Sequence, residues 1–288
     1  MLIGTHHGTF HADDVFAVAM LKQIYPNADI VRSRDPEILR RCDIVVDVGH
    51  GKYDHHTNEK VYRENGLPYA SAGLIWRDFG AQVLATQEAG DASDILIKAI
   101  DERLIQGIDA IDNGVEIEKD AKLKTVSELI GGFNPTWHSH ADEHAAFAAA
   151  VAFATQILTN QIKSEIARLA AVELVASAYE HRLYKEFLIL ETFCPWSESL
   201  FNMDLAKEVL YVIFPDKSGQ YRIQVVPKQL GSFEARKPLP EQWAGKEGDE
   251  LGSLIGIPDA VFCHPARFIA GAKSKDSILI MAQLALQN

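Results

Sequence analysis

Seven residues constrain the fold of this chain most strongly: Asp43-Ile44-Val45-Val46-Asp47-Val48-Gly49. An apolar, β-branched run bounded by acids reads as a buried parallel strand, because such strands are covered on both faces and lose the polar alternation of exposed ones. The neighbouring segments agree. Leu2-Ile3-Gly4-Thr5 is a short apolar opening. Residues 13–25 predict a helix, with Val15, Val18, Ala19 and Leu21 on or near one face. Residues 28–33 predict a strand, followed by Asp35-Pro36 as a turn or helix start. Residues 71–79 and 94–106 predict helices. This alternation implies an α/β fold with a parallel sheet, whose ligands gather at the carboxyl ends of the strands.

Residues 141–183 contain neither Gly nor Pro, and Phe147, Val151, Ala154, Leu158, Ile162, Ile166 and Leu169 recur at helical spacing. One helix of that length would span roughly 65 Å, so a long helix or helical pair is predicted to connect two halves. Beyond residue 187 the pattern changes. Residues 211–214 and 221–226 flank Asp216-Lys217-Ser218-Gly219 as a hairpin, Val261-Phe262-Cys263 reads as a strand, and residues 275–286 as a closing helix. The expected layout is a parallel-sheet catalytic domain over 1–140, a helical connector over 141–187 and a smaller α+β substrate-binding domain over 188–288.

Composition narrows the function. Of the 288 residues, 47% are hydrophobic and 24% charged, which excludes a disordered chain. No uninterrupted apolar run reaches the about 20 residues of a membrane span, so no membrane partner is expected. The opening residues resemble no targeting segment, and Cys42, Cys194 and Cys263 are too few and too scattered for a disulfide framework; a cytoplasmic location is the expectation. With 28 Lys+Arg against 40 Asp+Glu the formal charge is -12. That excludes a protein coating nucleic acid by bulk charge, yet suits an enzyme holding divalent cations.

Six of the eleven histidines precede residue 57: His6, His7, His11, His50, His55 and His56. They lie among Asp13, Asp14, Asp47 and Asp54, in three segments that a parallel sheet would bring to one edge. Imidazole mixed with carboxylate suits Mn²⁺, Fe²⁺ or Co²⁺, with Zn²⁺ an alternative. Six or seven ligands exceed what one ion takes, so two ions about 3.5–4 Å apart are expected, with Asp47 as the bridge. Asp109-Ala110-Ile111-Asp112-Asn113-Gly114 adds two acids where a helix must stop, and Asp112 is the one placed to reach the cleft. Trp137-His138-Ser139-His140 with His144 reads instead as a loop and helix start, with Asp142 and Glu143 at the positive helix end.

His11-x-Asp13, the Asp47 strand, Asp54-His55-His56 and Asp112 resemble the motifs of the DHH phosphoesterase superfamily. Within it the chain is most similar to the melanocyte-proliferating-gene exonucleases, a family of metal-dependent hydrolases. Thr5-His6-x-Gly8-Thr9-Phe10-His11, Ser71-Ala72-Gly73-Leu74-Ile75, Asn134-Pro135-Thr136-Trp137, Cys194-Pro195-Trp196, Pro238-Leu239-Pro240-Glu241 and Gly256-Ile257-Pro258 carry the resemblance along nearly the whole chain. It implies that His6 and His11 hold one ion, that Asp13, His55 and Asp112 hold the second, and that Asp47 bridges. Asp54 would orient a histidine and His56 would face the substrate phosphate. This chain has His7 and Asp14 where the family usually has Asn and Glu.

The stretch 217–275 holds nine Lys/Arg against six Asp/Glu, a local excess in an acidic chain. Its sharpest motif is the segment 264–273, where His264, Arg267, Phe268, Gly271 and Lys273 combine cations, an aromatic and small residues suited to gripping phosphates and stacking a base. Lys228 and Arg236 are weaker candidates for the same task. The resemblance implies a phosphodiesterase, a 3′–5′ exonuclease on single-stranded RNA or short oligonucleotides, using a hydroxide activated by two divalent ions. Mn²⁺ is the foremost candidate, with Mg²⁺, Co²⁺ or Zn²⁺ as alternatives, and a homodimer is compatible with it. A phosphohydrolase of pyrophosphate, dinucleotides or nucleotide phosphate is the alternative enzyme, and a non-catalytic metal-binding protein the alternative class.

Overall fold

The computed structural model describes residues 1–57, 59–87, 94–115 and 124–287. The chain forms two compact units, Met1–Ile166 and Ala167–Asn288, whose boundary falls inside one long helix.

In the first unit, β1 (Leu2–Thr5), α1 (Ala12–Ile24), β2 (Asp29–Arg32), α2 (Pro36–Leu39) and β3 (Ile44–Val45) build a three-stranded parallel sheet in the order β2-β1-β3. Helices α3 (Ser71–Ala85), α4 (Asp94–Ile100), α5 (Gln106–Asp112) and α6 (Val126–Gly131) follow. Every residue of α1 from Ala12 to Leu21 is buried, including Asp13 and Asp14, which places two carboxylates inside the fold. The strand predicted over 43–49 pairs only through Ile44 and Val45, with Val46 bridging to Tyr53. Beyond it the chain turns. Asp47 and His50 both take left-handed φ of 56° and Gly49 a φ of 85°. Asp tolerates this region better than a β-branched residue does, so the strand ends at the acid.

The predicted helix over 94–106 continues to Asp112, and it contains a π-helical turn, Asp101–Ile105. Single π turns mark places where a helix adjusts to a local demand. Here Arg63 Nη2 donates to Asp101 Oδ1 at 2.7 Å and to Asp109 Oδ2 at 2.8 Å, while Gly73 N donates to Asp109 Oδ1 at 3.0 Å. Burial pushes the Asp109 carboxyl up to about 7, against the pull of Arg63. A Cβ on Gly73 would overlap that carboxylate and the Arg63 guanidinium.

Helix α7 (Glu143–Glu180) is a single helix of 38 residues, long and apolar enough to cross a membrane. Its apolar stripes have protein partners. Phe147, Ala150, Val151, Ala154, Leu158 and Ile162 are buried within the first unit, and Ala171 and Val175 join the core of the second.

The second unit is a five-stranded sheet in the order β4-β5-β6-β8-β7, formed by β4 (Phe187–Ile189), β5 (Tyr211–Pro215), β6 (Tyr221–Val225), β7 (Ala260–Cys263) and β8 (Ile269–Ala272). Pairing is antiparallel except between β4 and β5. Strand β5 is apolar throughout because both faces are covered. Tyr211 and Ile213 meet α9 (Gly248–Ile255) and α10 (Lys275–Gln287), while Val212 and Phe214 meet α7 and α8 (Ser197–Met203). The predicted hairpin is present, its turn held by Asp216 Oδ1, which accepts from the backbone N–H groups of Ser218 and Gln220. Within the segment 264–273, residues 264–268 form a tight turn, 269–272 are strand β8 and Lys273 follows it.

Arg236 is buried. It pairs with Asp204, donates to the Val209 carbonyl at 2.8 Å and lies over the Phe201 ring at 5.1 Å. Asp204 also accepts from the backbone N–H groups of Glu208 and Val209. This side chain holds the second unit together, so its charge is not available for a ligand.

Two outcomes follow from these contacts. Gly73→Ala should lower stability by about 3 kcal/mol, because neither the backbone nor the Arg63–Asp109 pair can yield without unpairing buried charge; an unchanged thermal midpoint would contradict the packing described. Arg236→Ala should destabilise the second unit by roughly 3–5 kcal/mol by leaving Asp204 buried and unpaired. Chemical denaturation measures this, and a variant of undiminished stability would return Arg236 to the surface candidates.

Candidate metal and phosphate site

Four segments converge at the carboxyl ends of β1 and β3: the turn after β1 with the start of α1, the turn after β3, the loop 54–56 and the end of α5. His6, Asp13, Asp14, Asp47, Asp54 and His55 are buried there, whereas His11 and His56 are 59% exposed at the side chain and open the site to solvent. Three donor groups result, each with ligand atoms within 4.8 Å of one another: His6, Asp14 and Asp47; His11, Asp13 and Asp112; and Asp47, His55 and His56. Asp47 belongs to two of them, as a bridging carboxylate must. The His6 and His11 rings lie 6.3 Å apart, and the ligand atoms of His6 also approach Asp14 while those of His11 approach Asp13 and Asp112.

Each donor is aimed by its surroundings. His6 Nδ1 lies 3.2 Å from the His7 carbonyl, which leaves Nε2 facing Asp47 Oδ2 at 3.3 Å and Asp14 Oδ2 at 3.5 Å. His7 thus contributes its backbone, and its side chain is exposed outside the three groups. Ser71, at the start of α3, donates through Oγ to Asp47 Oδ1 at 3.1 Å and through its N–H to Asp13 Oδ2 at 3.3 Å. Arg32 is buried and donates to the carbonyls of His6 and Gly8, fixing the turn that carries His6. Asn134 clasps the same turn, accepting from Phe10 N at 3.0 Å and donating to the Phe10 carbonyl at 2.9 Å. Asp54 accepts from the backbone N–H groups of His50 and His56 at 2.7 and 2.9 Å, and lies 3.0 Å from His56 Nδ1. It therefore orients His56, with Nε2 left for the cleft.

The electrostatics show what the site lacks. His55 Nε2 lies 3.1 Å from both Asp47 Oδ1 and Asp112 Oδ2, yet it is aligned for a hydrogen bond with neither, and Asp13 Oδ1 has no partner at all. Atoms that face a common point rather than one another are the arrangement of a cation cage. Burial, and then the neighbouring carboxylates, hold the Asp13 carboxyl well above its ordinary range, and burial pushes Asp14 up to about 7 despite His6. Burial would lower His55, but Asp112 and Asp47 push it up to about 10. Burial would likewise raise Asp47, and the adjacent imidazoles of His55 and His6 hold it below the usual carboxylate range. Buried negative charge in this cluster needs compensating positive charge, and the donor set fits divalent ions.

Of the residues singled out in the sequence, His6, His11, Asp13, Asp47, Asp54, His55, His56 and Asp112 all meet here. Asp14, Ser71, Arg32 and Asn134 complete the site. Asp14 was legible only as the neighbour of Asp13 on a helix that proves buried all round; Arg32 carried no signal beyond being a cation at a strand end. His138, His140 and His144 stand exposed at the loop and helix start, where Asp142 Oδ1 accepts from His144 N at 2.8 Å.

The second unit holds the other candidates. The His264 and Phe268 rings lie 4.5 Å apart, Phe268 is exposed, and Arg267 takes a left-handed φ of 58° in the turn. Gly271 lies within β8, where a Cβ would strike Arg222 and Phe262; its small size serves the sheet. Lys273 is exposed, and Lys228 is paired with Glu234 at 3.0 Å.

Comparison with known proteins agrees with the motifs. The MYG1_exonuc family profile, described as Uncharacterised protein family (UPF0160), matches residues 2–286. MYG1 exonuclease of Homo sapiens is 35% identical, covering 99% of this chain and 85% of its own. A MYG1 protein of Saccharomyces cerevisiae is 32% identical over 99% and 95%. Among solved structures, a pGpG-specific phosphodiesterase of Vibrio cholerae, PggH, matches over 99% of this chain and 98% of its own, but at 12% identity and a TM-score of 0.30. Matched almost end to end by both profile and relatives, the chain belongs to the MYG1 exonuclease family.

Proposed function

We propose that this protein is a metal-dependent phosphodiesterase that removes nucleotides from the end of single-stranded RNA, in the 3′–5′ direction, with two divalent ions of which Mn²⁺ is the foremost candidate. The observation that carries this reading is the shared position of Asp47 between two donor groups, with His55 Nε2 facing Asp47 and Asp112 without being bonded to either. The name of the human relative, an exonuclease, supports the choice of nucleic acid as substrate. When bound, a pair of divalent ions lowers the pKa of a water and neutralises phosphate oxygens.

The chain's own residues do the rest. His6, Asp14 and Asp47 would hold one ion; Asp13, Asp47 and Asp112, whose oxygens lie 3.1–3.7 Å from His55 Nε2, would hold the other together with His55, with His11 beside Asp13 and Asp112. Ser71 fixes the Asp47 carboxylate through its hydrogen bond to Oδ1. Asp54 fixes the His56 ring, whose exposed edge offers a hydrogen bond to a phosphate oxygen or to the leaving group. In the second unit, the His264–Phe268 ring pair supplies a stacking surface for a base, and Arg267 and Lys273 supply charge for the backbone.

Rates on a 10-mer RNA, a dinucleotide and pyrophosphate, each with Mn²⁺, Mg²⁺, Co²⁺ and Zn²⁺, test the reading. RNA turnover with Mn²⁺ should exceed pyrophosphate turnover, with Asp47→Ala reducing it roughly a thousandfold or more while circular dichroism stays unchanged; pyrophosphate as the best substrate would overturn it in favour of a small-molecule phosphohydrolase. A second measurement needs no turnover. At 100 times its dissociation constant, each bound Mn²⁺ should stabilise the protein by about 2.7 kcal/mol, raising the melting temperature. The shift should vanish in Asp47→Ala, and a shift of the same size in that variant would place the ions elsewhere.

A further inference from the structure

The turn that carries Asp47 into the donor site also carries Val48, Gly49 and His50, and these residues line two cavities at once. One, of about 290 Å³, contains His6, His11, Asp47 and His56. The other, of about 600 Å³, lies beside it within the first unit and falls in the size range of small-molecule sites. Arg34 and His50 border both cavities. The larger one is walled by apolar groups: Pro36, Leu39, Val45 and Val48. Gly49 forms part of this wall. Its φ is +85°, and a Cβ there would stand 3.4 Å from Leu39 Cδ1 and 3.9 Å from Val45 Cγ1, at the cavity wall.

Arg34 is the second observation. It is exposed and, among the described residues, makes neither a hydrogen bond nor an ion pair, although its neighbour Arg40 is paired with Glu37. An unpaired guanidinium beside a strongly acidic site is suited to an anion that enters the site. The His50 backbone is fixed by its hydrogen bond to Asp54, which leaves an 80% exposed imidazole at the border of the two cavities. An apolar slot with an aromatic edge, next to a phosphate site, matches a nucleobase: flat, apolar on its faces and tethered to a phosphate by a short sugar.

We infer that this cavity is a nucleoside subsite, taking the base attached to the scissile phosphate while Arg34 grips that phosphate. The inference rests on the phosphodiesterase reading and adds where the terminal nucleotide is held. It also gives a reason for the turn after β3: one short left-handed segment places a carboxylate in one cavity and the border of the other beside it.

The test compares a short RNA ending in adenosine with the same RNA ending in an abasic nucleotide, using the wild type, Arg34→Ala, Arg34→Lys and Pro36→Trp, the last narrowing the cavity from an exposed position. Calorimetric titration of each Ca²⁺-loaded protein with AMP provides a readout independent of turnover. The wild type should favour the adenosine end about tenfold in kcat/KM, and Pro36→Trp should erase that preference. Arg34→Ala should lower kcat/KM for both ends about tenfold, with partial recovery in Arg34→Lys, and both Arg34→Ala and Pro36→Trp should weaken AMP binding by a similar factor. Equal turnover of the two ends by the wild type, or AMP affinity unchanged in Arg34→Ala and Pro36→Trp, would overturn the subsite and leave the phosphodiesterase reading standing. Should the wild type hydrolyse neither RNA, the proposed function fails instead. The AMP titration then decides alone: binding that these two variants weaken supports the subsite, and absent or unaltered binding overturns it.

Discussion

Buried negative charge governs the first unit. Asp13, Asp14 and Asp47 are almost wholly inside the fold, Asp112 closes the cluster, and the imidazoles of His6 and His55 stand among them. Burying ionised carboxylates without compensation costs several kcal/mol each. The nearest buried cation, Arg32, is committed to loop carbonyls and to Glu143, 3.7 Å away. The protein alone can offset this charge only by taking up protons, which is why Asp13, Asp14 and His55 are all pushed toward their protonated forms. Divalent cations remove the conflict directly, and much of the local architecture has the effect of keeping the oxygens apart and facing a shared space.

A contrast within the same unit shows that this arrangement is selective. Asp109 is as buried as Asp13, yet Arg63 and the Gly73 N–H satisfy it, and Asp101 completes the pair on the far side of Arg63. Asp54 is filled by two backbone N–H groups and the His56 ring. These acids position others. Asp13, with one oxygen lacking any partner, and His55, with both ring nitrogens unaligned, are left for something the chain does not supply. Sorting acids by whether their oxygens are already used separates ligand positions from supports more sharply than proximity does.

The same distinction explains what could be read from the sequence. The crowding of histidines and aspartates at predicted strand ends was enough to bring His6, His11, Asp13, Asp47, His55 and Asp112 together, because a parallel sheet gathers its strand ends at one edge. Helical periodicity located α7, and turn chemistry located the β5–β6 hairpin. Asp14 was obscure because amphipathic reasoning assigns one of two adjacent helical acids to solvent, and α1 has no solvent face. The early end of β3 was hidden because Val46-Asp47-Val48 has strand composition, while tertiary demand for the Asp47 carboxylate decides its backbone. Arg236 looked like a free surface cation because its partner, Asp204, is 32 residues away in sequence. The strand character of residues 269–272 was masked by their small side chains, which the close packing against Arg222 and Phe262 requires.

The net charge of -12 acquires a different meaning once partners are assigned. A strand of nucleic acid is usually held by many phosphate contacts, and affinity then falls steeply with salt. Here five of the nine Lys/Arg in 217–275 are ion-paired: Arg236 with Asp204, Arg222 with Asp216, Lys228 with Glu234, Lys246 with Glu250 and Lys275 with Glu191. Among the described residues Lys217, Lys237, Arg267 and Lys273 form no ion pair, and in the first unit Arg34 stands beside the acidic cleft with neither an ion pair nor a hydrogen bond. Scattered charges of this number suit contact with a short segment. They suit recognition of a chain end, where bound cations supply the main attraction for one phosphate and a few side chains hold the nucleotides on either side. The acidity that excludes a coating protein is thus consistent with an enzyme whose grip is confined to the bond it breaks.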